Sequence, residues 1–270
     1  MNQTFPGTQP QNLSIENLQD FYSRTLEYYD ELFPLDEQII SCLLRLNETL
    51  KKASSISPPP IMRFLGVGSA TGTLENRLSI HNFDITGIDT NPAMVSTAKR
   101  RIKSTFSSIR FFEMNSLDMR RFLKEGSFNI IACVENTLPY IGDETLVRKF
   151  FHDARTLLAP EGYLLLQTHN FGTKLADKPV RLPDRSSIRV RLSRTLIPAE
   201  NNKMNLDAQL ELGNGQLLQL QNTTEILQLT IPQVTAYALE AGFASTSVYS
   251  DFNESPYDPK SPHSVYILQA

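Results

Sequence analysis

The sequence of 270 residues predicts a doubly wound α/β fold built on a parallel sheet. Between residues 61 and 170, short apolar runs alternate with segments whose apolar residues recur at helical spacing. The apolar runs are nearly continuous, which is typical of strands buried on both faces. The intervening helices supply the crossover connections that parallel strands require.

The alternation contains five predicted strands, and helices connect several of them. The strands are 61–67, 83–89, 109–115, 128–136 and 163–170. The helices are 69–81, 91–104 and 143–158. Asn91-Pro92 is a typical helix start, and Pro160 with Gly162 ends the third helix before the fifth strand.

Two predicted segments precede the α/β domain, which we place at 61–270. Residues 1–14 are polar and predict a flexible leader. Residues 15–60 predict a helical cap, in which Pro34 separates two amphipathic helices and the second covers about 36–51.

The region of about 176–230 predicts an antiparallel β insertion. Three strand-like segments, 187–197, 203–212 and 215–230, are separated by turn residues. Asn201-Asn202 and Gly213-Asn214-Gly215 are hairpin signals. A helix at 230–243 and two last strands, 244–252 and 263–270, complete the domain.

Composition excludes several classes of protein. Hydrophobic residues are 40% of the chain and charged residues 20%, which is typical of a globular protein. The net charge is −3, so we expect no nucleic-acid partner, and no apolar run is long enough to predict a membrane partner. Two cysteines form no disulfide framework, which favours a cytoplasmic location. Monomer and homodimer both stay open.

The turn after the first predicted strand carries the strongest functional signal. It reads Leu65-Gly66-Val67-Gly68-Ser69-Ala70-Thr71-Gly72, and its small residues let a ligand approach the backbone. Asp89 ends the second strand 17 residues after Gly72, where a carboxylate can accept both hydroxyls of a ribose. The spacing favours an adenosine cofactor, and the alternative is a tight turn without a ligand.

This turn resembles motif I of the class I S-adenosylmethionine-dependent methyltransferases, whose usual form is L-D-x-G-C-G-T-G. Gly68, Thr71 and Gly72 match it. The segments GIDTNPAMVSTAKRR, FFEMNSLDM, SFNIIACVENTLPYI and LLAPEGYLLLQTHN resemble the motifs that follow in the family. The resemblance covers about residues 20–270 and implies a Rossmann-like, seven-stranded methyltransferase sheet whose last strand is antiparallel. It also implies S-adenosylmethionine as the cofactor and S-adenosylhomocysteine as its product.

The chain departs from motif I at two positions. Gly66 stands where the family usually has an acid that helps to hold the amino group of the donor, and Ala70 replaces the middle glycine. Ala70 costs little at negative φ and more if the turn needs positive φ. The resemblance implies cofactor contacts from the glycine turn and from the ends of strands two to four. They are Gly66, Gly68, Ser69, Ala70, Gly72, Asp89, Thr90, Met94, Asn115, Ser116, Leu117, Val134 and Glu135.

Methyl transfer from a sulfonium is an in-line displacement, so positioning and desolvation of the acceptor can suffice and no metal site is expected. Asn136-Thr137-Leu138-Pro139 resembles small-molecule methyltransferases of the glycine and sarcosine type. That likeness implies a catalytic, substrate-contacting Asn136, and the alternative is an Asx turn. His169 is a candidate general base for a hydroxyl acceptor, or a hydrogen-bonded histidine at a strand end. In the family that this chain resembles, the N-terminal helix often covers the donor, which implies Tyr29 as the third catalytic candidate; the alternative is packing on the core.

The candidate substrate contacts lie on the cap, at strand ends and on the insertion. They are Tyr22, Asn136, Tyr140, Asn170, Arg189 and Arg191. Arg189 and Arg191 share one face of a strand, where they would clamp a carboxylate or phosphate or form a solvated face.

The sequence therefore predicts an S-adenosylmethionine-dependent methyltransferase that acts on a small-molecule N or O acceptor. The alternative is a catalytically degenerate relative that binds the cofactor or a metabolite without turnover, which Gly66 and Ala70 motivate. A nucleic-acid methyltransferase is disfavoured by the acidic charge balance, and a protein substrate stays open.

Overall fold

The computed structural model describes residues 21–56, 60–102 and 108–270. The predicted leader, the start of the first predicted helix and the end of the helix at 91–104 lie outside these residues. Eleven strands occur in the described part. They are β1 (Met62–Val67), β2 (Phe83–Asp89), β3 (Ile109–Glu113), β4 (Phe128–Cys133), β5 (Leu158–His169), β6 (Val180–Ser186), β7 (Val190–Pro198), β8 (Lys203–Leu212), β9 (Leu217–Leu227), β10 (Ser245–Tyr249) and β11 (His263–Gln269).

Seven strands form the main sheet, in the order β10-β11-β5-β4-β1-β2-β3. β1 to β5 run parallel, whereas β11 is antiparallel to both β5 and β10. The strand order reverses beside β1, which lies between β2 and β4. Ligands of open α/β sheets bind at such a reversal, outside the carboxyl ends of the strands. The predicted doubly wound sheet with an antiparallel last strand is confirmed.

Five helices of at least six residues cover the main sheet: α1 (Glu37–Ala53), α2 (Thr73–Leu78), α3 (Pro92–Arg100), α4 (Glu144–Leu157) and α5 (Ile231–Glu240). One apolar core joins α1, α2 and α3 to one face of the sheet, and a second core joins α4 and α5 to the other face. Side-chain caps explain two of the helix starts. Asn91 Oδ1 accepts hydrogen bonds from the backbone amides of Ala93 and Met94, and Asp143 caps α4 in the same way. In the described residues, no helix is long and apolar enough to cross a membrane.

The second sheet is antiparallel, in the order β6-β7-β8-β9. The predicted turns are present: Asn201 and Asn202 have φ of 55° and 59°, and Gly215 has φ of 81°. The sequence predicted three strands here, and the structure has four. Pro183 argues against a strand in the sequence of β6, because proline is tolerated in a strand only at an edge or a bulge. β6 is an edge strand, and its register with β7 shifts between Leu182 and Arg185.

The first described segment, residues 21–33, is called the cap below. It is helical at 21–25, continues as a 3₁₀ turn (Leu26–Tyr28) and ends in a single helical turn (Tyr29–Leu32). The predicted continuous helix is interrupted at Thr25, whose hydroxyl donates to the carbonyl of Phe21 at 3.0 Å. Phe21 and Leu32 are buried in an apolar cluster with the second sheet. The cap is therefore fixed from one side by the second sheet.

Two further boundaries differ from the predictions at the carboxyl edge of the main sheet. The helix predicted from residue 69 begins at Thr73, because residues 69–72 form the turn and Gly72 has φ of 73°. β4 ends at Cys133 instead of residue 136, because Glu135 and Asn136 both have positive φ. Both shifts lengthen the loops that surround the candidate site.

Candidate functional site

The turn after β1 is held close to the end of β2. The amides of Gly68 and Ser69 both donate to the carbonyl of Ile88, at 2.9 and 3.0 Å. Gly68 has φ of 73°, and a Cβ there would lie 2.6 Å from Thr137 Cγ2. Only glycine combines that conformation with so close an approach. The turns after β1 and β4 are therefore in direct contact.

Ala70 occupies the left-handed region in this turn, with φ of 46°. An L residue in that conformation costs roughly 1–2 kcal/mol relative to a right-handed one. The sequence left the sign of φ open, and the structure shows the costly case. The Ala70 amide donates to Asp89 Oδ2 at 2.8 Å, which offsets part of this cost.

Asp89 is the acid at the centre of the site. Its Oδ1 accepts a hydrogen bond from the Asn91 amide at 2.8 Å, in addition to the bond from Ala70. Burial raises the pKa of the Asp89 carboxyl, and the backbone donors, including the Thr90 amide, lower it in part. The carboxylate is therefore oriented by the backbone at the carboxyl end of β2.

One cavity opens at the carboxyl ends of β1, β2, β3 and β4, and the cap covers it. Many of the predicted site residues line it. They are Gly66, Gly68, Ser69, Ala70, Asp89, Thr90, Met94, Ser116, Val134, Glu135, Tyr22, Tyr29 and Tyr140.

The other predicted site residues lie outside the lining of this cavity: Gly72, Asn115, Leu117, Asn136, His169, Asn170, Arg189 and Arg191. Three of these adjoin lining residues and shape the backbone. Gly72 has φ of 73°, and a Cβ there would meet Phe111 at 2.6 Å. Asn115 Oδ1 accepts a hydrogen bond from the Leu117 amide at 2.9 Å. The hydrogen bond fixes the turn beside Ser116, and the closeness of Phe111 leaves room only for a glycine at residue 72.

Sequence reasoning missed a further set of lining residues. They are Phe33, Pro34, Leu35, Ile39, Val67, Thr73, Leu74, Glu75, Ile88, Asn91, Met114 and Ala132; Thr71 of the glycine turn and Thr137 after β4 also line the cavity. Most are apolar residues whose periodicity marks them only as core. Glu75 is the charged member of the set: a charged residue on an amphipathic helix is expected to be exposed, and Glu75 is 1% exposed.

Glu75 lies directly over Gly66. A Cβ on Gly66 would come within 2.0 Å of Glu75 Oε1, so this carboxyl occupies the space beside the glycine. Its Oε2 is buried and has no hydrogen-bond partner among the described residues. The pKa of Glu75 is raised to about 8, chiefly by burial; a hydrogen bond from its own backbone amide lowers it in part, and the negative charge of Asp89 adds a smaller rise.

The turn after β4 contains two consecutive non-glycine residues of positive φ, Glu135 at 54° and Asn136 at 61°. The Glu135 amide donates to Gln167 Oε1 at 2.8 Å, which fixes the turn against β5. Asn136 is buried, and its Oδ1 has no partner in the part of the chain that the structure describes. Strain of this kind persists where the surrounding structure imposes it, and it is common at functional sites.

The cap is joined to the glycine turn by Asp30. Its carboxylate accepts a hydrogen bond from the Thr71 hydroxyl at 2.6 Å and forms an ion pair with Arg101. Burial favours the neutral carboxyl, but hydrogen bonds from Arg101, Thr71 and Thr73 outweigh it and lower the pKa of Asp30. The ionised carboxylate of Asp30 therefore anchors the cap on the glycine turn.

Three tyrosines line the cavity, and two of them, Tyr22 and Tyr29, belong to the cap. The ring centroids of Tyr22 and Tyr29 are 6.1 Å apart, and those of Tyr22 and Tyr140 are 6.4 Å apart. Burial raises the pKa of each of these phenols, so all three are neutral near pH 7. Their rings supply negative faces that attract a cation.

Two arginines of the insertion, Arg185 and Arg194, lie beside the site. They are not the predicted pair, Arg189 and Arg191. Arg189 forms ion pairs with Glu27 and Glu31, and Arg191 pairs with Asp184; both arginines are exposed. Arg185 instead lies 3.3 Å from Glu135 Oε2.

The guanidinium carbons of Arg185 and Arg194 lie 4.8 and 5.5 Å from the ring centroid of Phe33. Arg194 is largely buried, its Nε has no hydrogen-bond partner among the described residues, and burial followed by the charge of Arg185 lowers its pKa. Arg194 is in phase with the buried Val190 and Leu192 along β7. That phase is the sequence signal that could have identified it.

His169 lies opposite His263 in the β5–β11 pair, with ring centroids 5.8 Å apart. Burial lowers the pKa of His169 to about 3 and that of His263 to about 4, and both Nδ1 atoms have no partner in the described part of the chain. The Asn170 amide is engaged in the neighbouring loop, with Ser261 O at 2.8 Å and the Tyr257 hydroxyl at 2.9 Å. Within the described residues, no group of three His, Cys, Asp or Glu side chains could hold a metal.

Comparisons with known proteins agree with this geometry. Residues 64–162 match the family described as "Methyltransferase domain". A protein of Geobacillus sp. (strain WCH70) named as a methyltransferase is 30% identical over 120 residues, which are 44% of this chain and 47% of that protein. The chain thus spans less than half the length of that relative.

Solved structures share the fold over most of the chain. An S-adenosylmethionine-dependent methyltransferase from Clostridium acetobutylicum has a TM-score of 0.72 at 14% identity, over 92% of this chain and 98% of that one. An S-adenosylmethionine-bound amino pentose methyltransferase from Micromonospora echinaspora has a TM-score of 0.60 at 14% identity, over 99% of both chains. By the domain match, the strand order and the turn after β1, residues 64–162 are a methyltransferase domain, and the chain has the fold of the class I S-adenosylmethionine-dependent methyltransferases.

Proposed function

We propose that this protein transfers a methyl group from S-adenosylmethionine to a small-molecule acceptor. The observation that carries the proposal is one continuous cavity. It joins the glycine turn and Asp89 to the strained turn after β4, and Tyr22, Tyr29 and Phe33 of the cap line it. A donor bound at Asp89 and an acceptor bound at Glu135 would share this enclosure.

Two observations support the fit of the donor to these residues. A Cβ at Gly66 would clash with Glu75 and one at Gly68 with Thr137, so the two glycines let these cavity-lining side chains lie directly against the turn backbone. The backbone amides of Ala70 and Asn91 orient the Asp89 carboxylate, which would accept the two ribose hydroxyls. Met94 and Met114 would flank the adenine, with Ser116 at its polar edge. When bound, S-adenosylmethionine supplies a methyl group on a sulfonium, which an in-line displacement can transfer to a nucleophile.

The acceptor end contains Glu135, Tyr29 and Tyr140, with Arg185 and Arg194 behind Phe33. Arg185 pairs with Glu135 there, and the buried Nε of Arg194 lacks a partner among the described residues. An acceptor that bears a carboxylate or phosphate would satisfy this excess positive charge.

Glu135 lies beside that position and could hold an amine or receive the proton of a hydroxyl, since burial raises the pKa of its carboxyl against the opposing effect of Arg185. The neighbour that acts on an amino pentose supports an amine. Nitrogen and oxygen acceptors therefore enter one test panel.

The experiment is a calorimetric titration of the protein with S-adenosylmethionine and S-adenosylhomocysteine. Asp89→Ala should weaken binding at least tenfold, or about 1.4 kcal/mol. Asp177→Ala, at an exposed position, is the matched control and should bind as the wild type does. Failure of the wild type to bind either ligand would overturn the proposal.

A second candidate function is binding without turnover. It is favoured by the positive φ of Ala70, which weakens the turn relative to the family's glycine, and by the missing acid at Gly66. The two functions separate in an assay of S-adenosylhomocysteine formation with anionic amines and alcohols. Tight donor binding without product across that panel would favour the second function.

A further inference from the structure

Three acids line the cavity, and two of them have polar partners. Asp89 accepts hydrogen bonds from two backbone amides, and Glu135 pairs with Arg185. Glu75 differs, because its Oε2 has no partner among the described residues. Among these three acids, Glu75 is therefore the one that has a buried oxygen, Oε2, without a hydrogen-bond donor.

The surroundings of Glu75 make its burial costly. From the segment that leads into α1, and from α1 itself, Leu35 and Ile39 line the same cavity, and both are apolar. The charged group that acts on Glu75 is Asp89, whose charge repels a second carboxylate. A carboxyl in such a place costs several kcal/mol to ionise unless a cation arrives.

Gly66 makes the room that Glu75 occupies. Its strand partners are also small, Gly87 on β2 and Ala132 on β4. Even one methyl group at residue 66 would come within 2.0 Å of Glu75 Oε1. The glycine and the glutamate therefore form a pair, in which the helix supplies the carboxyl that the strand lacks.

We infer that Glu75 binds the ammonium group of the methionine portion of the donor, in the space beside Gly66. This inference rests on the proposed use of S-adenosylmethionine. The ammonium would donate a hydrogen bond to the unpartnered Oε2 and neutralise the buried carboxylate, while Asp89 would bind the ribose hydroxyls. The missing acid of the glycine turn is then replaced from a different element and does not signal a lost function.

The test compares Glu75→Gln with the wild type by calorimetry, using three ligands. S-adenosylhomocysteine carries the ammonium and carboxylate, decarboxylated S-adenosylmethionine carries the ammonium alone, and 5′-methylthioadenosine carries neither. We expect Glu75→Gln to weaken the first two at least tenfold and the third less than threefold. Glu48→Gln, the same change at an exposed position on α1, is the matched control.

A relocation variant keeps the test decisive if the glutamine perturbs packing. Gly66 has no positive φ, so aspartate is conformationally allowed there once the glutamate is removed. We expect Gly66→Asp combined with Glu75→Ala to bind S-adenosylhomocysteine within threefold of the wild type. Glu75→Ala alone should bind it at least tenfold more weakly.

Calorimetry in phosphate and in Tris at pH 7 measures the number of protons released on binding. A purely structural role of Glu75 in packing would not change this number. Because burial keeps Glu75 mostly protonated at that pH, the wild type should release most of one proton on binding S-adenosylhomocysteine, and Glu75→Gln should release none. Equal affinity of Glu75→Gln and wild type for S-adenosylhomocysteine, or an equal loss for 5′-methylthioadenosine, would overturn the inference alone. Failure of the wild type to bind S-adenosylhomocysteine would overturn the proposed function and the inference with it.

Discussion

Glu75→Gln has a second expected effect, on the stability of the ligand-free protein. Burial raises the pKa of this carboxyl from its ordinary value of 4.5 to about 8. The folded state therefore binds more protons than the unfolded state between these two values. By linkage, the wild type loses stability as the pH rises through this window, and Gln at residue 75 removes that loss.

The magnitude follows from one proton. Each pH unit inside the window changes the free energy of unfolding by up to about 1.4 kcal/mol. Between pH 5 and pH 7, the difference between Glu75→Gln and the wild type should shift by roughly 2–3 kcal/mol in favour of the variant. Asp89 titrates in both proteins, so its contribution largely cancels.

The assay is urea unfolding at pH 5, 6 and 7, with Glu48→Gln as the matched control. The free-energy difference between Glu75→Gln and the wild type is the quantity of interest, because an unsatisfied buried amide lowers the variant's stability equally at each pH. A difference that stays constant from pH 5 to pH 7, or that moves toward the wild type, would refute the assignment of a buried, neutral carboxyl at residue 75.

Three further substitutions probe the turn, the cap and the acceptor end. Ala70→Gly should raise the free energy of unfolding by about 1 kcal/mol, because glycine removes the cost of φ at 46°; urea unfolding measures it. Asp30→Asn should weaken S-adenosylhomocysteine binding several-fold and speed proteolysis of the cap, because it loses the ion pair with Arg101; calorimetry and limited trypsin digestion measure these. Arg194→Gln should raise the KM for an anionic acceptor at least tenfold and leave donor affinity unchanged, as steady-state kinetics would show.

Each of these substitutions has its own control. Ala70→Ser keeps the backbone penalty and should give no gain in stability. Glu200→Gln, at an exposed position beside the turn of the second sheet, should leave cap proteolysis unchanged. Arg191→Gln removes an exposed arginine of the same strand and should leave KM unchanged; equal effects of Arg191→Gln and Arg194→Gln would contradict an anionic acceptor site.

The main sheet was predictable from sequence, because its strands are continuous apolar runs and its turns carry glycine, proline and asparagine signals. The boundaries at the site were less predictable. β4 ends before its predicted end at residue 136 because Glu135 and Asn136 adopt positive φ, which neither residue type predicts. β6 was missed because Pro183 interrupts its pattern, and only its place at the edge of the second sheet makes that proline tolerable.

Within the site, contacts between distant segments limited the predictions. Asp89 and the glycine turn could be paired because their spacing is local to one strand–helix–strand unit. Glu75 could not, because its burial depends on the small residues of β1, β2 and β4 together. The choice among the arginines of the insertion failed for a related reason: Arg189 lies in the exposed turn before β7 and Arg191 on the exposed face of β7, whereas Arg194 is in phase with its buried residues.

The second sheet makes no strand pairs with the main sheet in the described part of the chain, yet it supplies Arg185 and Arg194. In the proposed function, donor recognition therefore belongs to the main sheet, whereas the arginines that select the acceptor belong to the second sheet. Evolution or design could replace residues 180–227, keep the cap that Asp30 joins to the glycine turn, and obtain a new acceptor range. The glycine turn, Glu75 and Asp89 would pass unchanged into the hybrid, so its donor affinity would be inherited.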